Sequence, residues 1–160
     1  MKIFLNVTLL LIIVNIPFYP SLHSENQTSN SMNERILSKD FSTAQAALEE
    51  NKHNKNLQAV CLSLKHRSLI IRKLAAQALG ELKAKSSIQC LIEALEQNQT
   101  ALIGGTETDI EQDKLNEAII DATEKITGLE LKNKKALSRK EIRIALGKIK
   151  RWQAAQKGKT

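Results

Sequence analysis

Aromatic residues are scarce in this chain of 160 residues, where Phe, Tyr and Trp together make up 3%. Strands are enriched in aromatic residues, and almost no segment has the composition of a strand. The frequent residues are instead Ala, Leu, Ile, Lys, Glu and Gln, and the straight-chain ones among them lose little rotamer freedom in a helix. The composition therefore predicts an all-α fold, and the length allows one domain with one hydrophobic core.

Histidine is also rare, and the three present are His23, His53 and His66. Neither His53 nor His66 has a cysteine or a carboxylate nearby at the spacing of metal ligands. No glycine-rich phosphate loop follows a strand, and no serine lies in a nucleophile elbow. We therefore expect no enzymatic activity, no metal site and no cofactor.

Cysteine occurs twice, as Cys61 and Cys90. Both lie within amphipathic helical patterns, where a free cysteine commonly packs as a small apolar residue. In an oxidising compartment the same two residues can form a disulfide. The sequence leaves both interpretations open.

Residues 1–24 have the layout of a secretory signal peptide, with a positive charge at Lys2 and an apolar stretch over 3–18. Two asparagines and a proline interrupt the stretch, which is shorter than the roughly 20 apolar residues of a membrane span. We expect cleavage and export to the periplasm or the medium, with an uncleaved membrane anchor as the alternative. Export argues against nucleic acid as a partner.

Residues 25–40 are rich in Ser, Asn and Glu with little apolar periodicity, which predicts a flexible tether. Helical periodicity follows and predicts a repeat domain over 41–154, with a disordered tail over 155–160. The clearest helical face belongs to the segment that begins at Ser68. The predicted helices span 42–51, 55–65, 68–83, 86–97, 110–127 and 138–154.

Two of these helices match each other position by position. Leu57 aligns with Ile88 and Leu64 with Leu95, which gives a period of 31 residues. A period in this range is typical of helical solenoids.

A second internal match involves small residues. Ala78-Leu79-Gly80 recurs as Ala145-Leu146-Gly147, and Ala78 also aligns with Ala122. Alanine and glycine at fixed places allow neighbouring helices to approach closely, so we expect tight helix contacts there.

Residues 66–95 resemble a HEAT repeat of the bacterial kind that also occurs in phycobilin lyases. The resemblance rests on the pair Ile71-Arg72, the stretch Ala78-Leu79-Gly80 and the paired leucines of the following helix. Lys125-Ile126-Thr127-Gly128 is similar to the ending of repeats in many exported bacterial HEAT proteins. The turn Lys65-His66-Arg67 departs from the family, which usually has Asp-Pro there.

The resemblance implies a short right-handed α-solenoid of about three antiparallel helix pairs. It further implies a non-enzymatic module that binds other macromolecules. Together with the leader, it predicts an exported scaffold protein that contacts a protein partner in the cell envelope.

Leu62 lies off the apolar face of its helix, where the matching helix has Glu93. Because HEAT proteins hold ligands along helix faces, we expect Leu62 in a partner-binding groove with Gln58, Gln89 and Glu93. The alternative is that the N-terminal helix covers Leu62.

Charge alternates in blocks along the chain, and residues 131–160 hold eleven Lys and Arg against one Glu. Helix 138–154 has Ile142, Ala145 and Ile149 on one face. Its basic residues lie largely elsewhere and are Arg139, Lys140, Arg143, Lys148, Lys150 and Arg151.

This basic amphipathic helix has two interpretations. Its apolar face can cap the solenoid while its charges are solvated, since terminal repeats need a polar outer face. Alternatively, the chain is a membrane-surface protein whose helix 138–154 contacts anionic lipid or another polyanion.

Overall fold

The computed structural model describes residues 23–100, 107–132 and 137–158. Regular structure in this part of the chain is helical, without a strand. A short 3-10 helix, Lys85–Ser87, precedes the fifth α-helix. The α-helices are α1 His23–Ile36, α2 Phe41–His53, α3 Leu57–Ser63, α4 Leu69–Leu82, α5 Ile88–Thr100, α6 Glu107–Thr127 and α7 Arg139–Lys157.

The all-α prediction is confirmed, and α2 to α7 correspond to the six predicted helices with ends that differ by three residues or fewer. Amphipathic periodicity located these helices because each buries an apolar face. Ser138 and Glu141 form a capping box at the start of α7, and Asp40 caps α2.

Helix α1 was not expected, because the sequence predicts a flexible tether over 25–40. That prediction is wrong for most of the segment. Ile36 is fully buried against Ala47 of α2 and Ala59 of α3, and Met32 packs beside it. Two apolar side chains of α1 in this cluster are too few to give a visible helical period.

The structure covers the two predicted terminal segments, 1–24 and 155–160, to different extents. The predicted signal peptide, 1–24, lies outside the described residues except for its last two positions, which begin α1. The predicted disordered tail, 155–160, is wrong at its start, because α7 continues to Lys157. Among the described helices, none has both the length and the apolarity needed to cross a membrane.

Helix α4 lies at the centre of the core and contacts α2, α3 and α6. Its residues Ile71, Ala75 and Leu79 are fully buried. The core continues through α5 and α6 to α7, where Ala145 and Ile149 are buried. Helices α2 to α7 therefore share one apolar cluster, separate from the small cluster of α1, and burial of this surface is the main driving force for folding.

Helices α4 and α6 run in the same direction and touch closely. Lys73 and Lys114 line one cavity near the starts of the two helices. Further along, a Cβ at Gly80 would lie 2.8 Å from the Cα of Ala122 and 3.4 Å from the side chain of Lys125. The expected close contact of small residues is thus present between α4 and α6.

His66 joins the turn before α4 to the turn before α2. Its Nδ1 accepts a hydrogen bond from the Ser68 amide at 2.9 Å, so the proton lies on Nε2, which donates to the Ser38 carbonyl at 2.8 Å. Arg67 donates to the Lys39 carbonyl beside it. His66 is 3% exposed, so these hydrogen bonds satisfy the polar atoms of a buried imidazole.

The connection between α6 and α7 is not a short helical turn. Gly128 ends α6 with a φ of +73°, a conformation that suits glycine. The chain then folds back along α6, where the amides of Leu131 and Lys132 donate to Glu124 at 2.6 and 2.9 Å. Helix α7 therefore follows α6 by a longer path than a helical hairpin would need.

Candidate interaction surfaces

The residues predicted to form a partner-binding groove do not all share one open surface. Gln58 is exposed on α3, as expected for a contact residue. Leu62, on the same helix, is half-buried and packs in the small cluster with Ile36 and Met32. Leu62 is therefore covered, but by α1, which the sequence did not predict, rather than by the first predicted helix, 42–51.

Gln89 and Glu93 are brought together on α5. The Gln89 amide donates to the Glu93 carboxylate at 3.0 Å and accepts from Gln153 of α7 at 2.9 Å. Gln89 is exposed and Glu93 half-buried, so this polar network lies at the edge of the contact between α5 and α7.

Cys61 and Cys90 form a disulfide that joins α3 to α5. Their Cα atoms are 5.9 Å apart, within the usual range for a disulfide, and 29 positions separate them in sequence. Both residues are half-buried beside the main core. Of the two interpretations that the sequence allowed, the structure contains the disulfide.

Two of the basic side chains of α7 have partners on the rest of the fold. Lys148 donates to the Glu130 carbonyl at 3.0 Å, and Lys150 forms an ion pair with Glu96 of α5 at 2.5 Å. The apolar face of α7 packs on the core through Ile142, Ala145 and Ile149. The capping interpretation thus accounts for one side of this helix.

The opposite side of α7 carries a second group of residues, which we call the α7 outer stripe. Ile144 is 50% exposed in its middle, a feature that the apolar pattern of the helix did not predict. Ile144 follows Lys140 by one helical turn, and this spacing is the sequence signal that could have placed its side chain on the basic side of the helix. The stripe consists of Lys140, Arg143, Ile144, Gly147 and Arg151.

A shallow cavity of about 270 Å³ lies between α4 and α6. Its carboxylates, Glu117 and Asp121, form ion pairs with Lys132 from the segment that folds back along α6. Burial lowers the pKa of Lys132, but the hydrogen bonds and charges of Asp121 and Glu117 together raise it above its ordinary value. Because both carboxylates share the Lys132 ammonium group as an ion-pair partner, they are poorly suited to act as a free acid and base pair.

The sequence also missed a buried amide pair between α5 and α6. Asn98 and Asn116 are 1% and 0% exposed, and Asn98 donates to the Asn116 carbonyl oxygen at 3.0 Å. The remaining polar atoms of this pair lack a protein partner. Within the described part of the chain, no three His, Cys, Asp or Glu side chains group in a way that could hold a metal ion.

The chain matches no protein-family model, no curated protein and no solved structure.

Proposed function

We propose that this chain is an exported, non-enzymatic interaction module built as a short HEAT-type α-solenoid that binds a protein partner in the cell envelope. The observation that carries the proposal is the parallel contact of α4 with α6. In a solenoid, equivalent helices of successive repeats stack in one direction. Gly80 against Ala122 belongs to the pair of segments that the internal sequence match aligned.

Arg72 supports the same architecture. It belongs to the Ile71-Arg72 pair on which the resemblance to HEAT repeats rests. Its Nε donates to the Leu64 carbonyl at the end of α3, at 2.8 Å, and burial lowers the pKa of the guanidinium. A half-buried cation directed at the carbonyl end of the preceding helix satisfies orphan acceptors there, which favours a fixed angle between successive helices.

The disulfide supports export. Disulfides persist in oxidising environments such as the periplasm and the medium, and they are rare where glutathione keeps thiols reduced. The link between Cys61 and Cys90 therefore agrees with the signal-peptide layout of residues 1–24.

The partner contact is proposed on the exposed side of α3 and α5, with Gln58 and Gln89 as its accessible residues and Glu93 beside them. Leu62 lies beneath this surface and contributes to it indirectly, because it supports the contact between α3 and α1. Glutamine side chains at such positions offer both donors and acceptors to a partner without the cost of burying a charge.

Site-specific photo-crosslinking in cells that export the protein tests this function. A photoreactive residue at Gln58 or Gln89 is expected to give one discrete adduct in the envelope fraction. The matched control is Gln77, which is exposed on α4. Adducts that are equally strong from Gln77, or their absence from both test positions, would contradict the proposed contact.

Export has its own measurement. The chain recovered from the envelope or the medium should lack its N-terminal apolar segment and contain no free thiol. Recovery of the full-length chain only from the cytoplasm, with both cysteines reactive, would end the proposal of export.

A further inference from the structure

The α7 outer stripe has a spacing that places its members on one helical face. Lys140, Arg143, Ile144, Gly147 and Arg151 lie at i, i+3, i+4, i+7 and i+11. The stripe is about 16 Å long at 1.5 Å per residue. It is thus a straight, narrow surface rather than a concave pocket.

The three cations of the stripe have no acidic partner in the described structure. Lys140, Arg143 and Arg151 are exposed, whereas Lys150 and Lys148, at its flanks, contact Glu96 and the Glu130 carbonyl. The stripe itself contains no carboxylate. Its charge is therefore available to an anionic partner.

The stripe is also held in place. Ile142, Ala145 and Ile149, on the other side of the helix, are at most 1% exposed, and the capping box at Ser138 fixes the first turn. A preorganised surface loses little conformational freedom on binding, so its charges act together.

We propose that the α7 outer stripe lies against the surface of an anionic lipid bilayer, which makes the protein a peripheral membrane protein at this face. A row of basic residues is attracted to the negative potential of such a surface, and Ile144 can enter the boundary between headgroups and acyl chains. This partner is distinct from the protein partner of α3 and α5, and its binding does not depend on that contact.

The composition of the stripe favours lipid over nucleic acid. Proteins that bind single-stranded nucleic acid present aromatic side chains for stacking, and amide side chains are those that pair with adenine. The aromatic residue of α7, Trp152, packs against the core, and Gln153 donates to Gln89. A half-exposed isoleucine between cations makes no favourable contact with a phosphate backbone, whereas its apolar side chain can be buried in a bilayer.

Co-sedimentation of the purified protein with vesicles tests the proposal. We expect binding at low salt to equimolar phosphatidylcholine and phosphatidylglycerol, and little binding to phosphatidylcholine alone. Each basic residue near an anionic bilayer strengthens binding by about fivefold, so the variant K140Q/R143Q/R151Q should bind about a hundredfold more weakly. Because these side chains are exposed, its melting temperature should not change.

A matched variant removes the same charge elsewhere. K39Q/K65Q/K85Q alters three exposed lysines in the segments that precede α2, α4 and α5, and it should retain most of the binding. Equal losses in the two triple variants would show that only net charge matters and would overturn the proposal. Equal binding of the wild type to neutral vesicles would do the same, since apolar contacts elsewhere would then account for it.

Ile144→Ser separates a bilayer from a dissolved polyanion. Loss of the apolar contact should weaken vesicle binding by about two- to tenfold and leave binding to heparin or single-stranded RNA unchanged. If the wild type binds RNA at a salt concentration where it does not bind anionic vesicles, and the triple stripe variant loses that RNA binding, the stripe is a nucleic-acid surface and the proposal is wrong.

Discussion

The Cα of Ala122 lies 2.8 Å from the point where a Cβ on Gly80 would stand. This contact joins the backbones of α4 and α6, the two helices with the most extensive contact in the described chain. Any side chain at position 80 must push the helices apart or shift α6. The absence of a side chain at Gly80 is therefore part of the packing of the core.

Gly80→Ala is expected to destabilise the fold by about 1–3 kcal/mol, the usual cost of excess volume in a packed core. Alanine favours helix over glycine by about 1 kcal/mol, and this gain is smaller than the cost of displacing the α6 backbone. The denaturation midpoint should therefore fall, as measured by urea unfolding followed by circular dichroism.

Gly147→Ala is the matched control. Gly147 occupies the equivalent place in the second internal match, but a Cβ added there would meet only the end of the Arg151 side chain, at 3.9 Å. The substitution should stabilise α7 by up to about 1 kcal/mol. Opposite signs for the two variants are expected, and a stabilising effect of both would contradict the close contact at Gly80.

Removal of the disulfide should cost about 3–4 kcal/mol, the loop-closure contribution expected for cysteines 29 positions apart. The variant C61S/C90S and the reduced wild type should unfold at similar, lower denaturant concentrations. Ellman titration of the unfolded, unreduced protein should detect no free thiol. Two free thiols per chain, or equal stability with and without reductant, would show that the disulfide is absent.

Asp40 makes the start of α2 sensitive to acid. Hydrogen bonds from the hydroxyls of Ser42 and Thr43 and from the Thr43 amide lower the pKa of Asp40 from 3.8 to about 2. Since the folded pKa is lower than the unfolded one, this stabilisation is complete above pH 3.8 and is lost as the pH falls towards about 2.

The stability difference between the wild type and Asp40→Ala should therefore be constant near neutral pH and shrink below pH 3.8. Asp40→Asn can still cap the helix without titrating, so it should not show this acid dependence at the site. If the stability of the wild type exceeds that of Asp40→Ala by the same amount at about pH 2 and at neutral pH, the lowered pKa of Asp40 is refuted.

Lys132 should give the opposite dependence on pH. Because the folded pKa of Lys132 is raised, its stabilising contribution is present below the unfolded pKa of 10.5 and is lost as the pH rises through the folded value. Lys132→Met leaves Glu117 and Asp121 as like charges one turn apart, which should cost about 1 kcal/mol at neutral pH. The free energies of unfolding of both proteins, measured from neutral pH to beyond 10.5, should converge at the alkaline end.

Most of the fold could be predicted from the sequence because amphipathic helices leave a period of about 3.6 residues. Six helices were located in this way. Helix α1 was missed since Met32 and Ile36 are its contribution to the apolar cluster, and two residues do not make a period.

The candidate surfaces were predicted less well, because a helical pattern shows which face is apolar but not what packs on it. The sequence indicated six basic residues on α7 without separating Lys148 and Lys150, which have partners, from the cations of the outer stripe. Leu62 looked accessible because its neighbour α1 was not recognised.

Local composition and spacing were enough to predict the helical class, the helix positions and the basic character of the C-terminal helix. The three-dimensional fold was needed to show that Cys61 meets Cys90, that α1 covers Leu62 and that Gly80 lies against Ala122. Each of these depends on the approach of residues far apart in the chain. Such contacts follow from how the helix faces pack together, which no local pattern encodes.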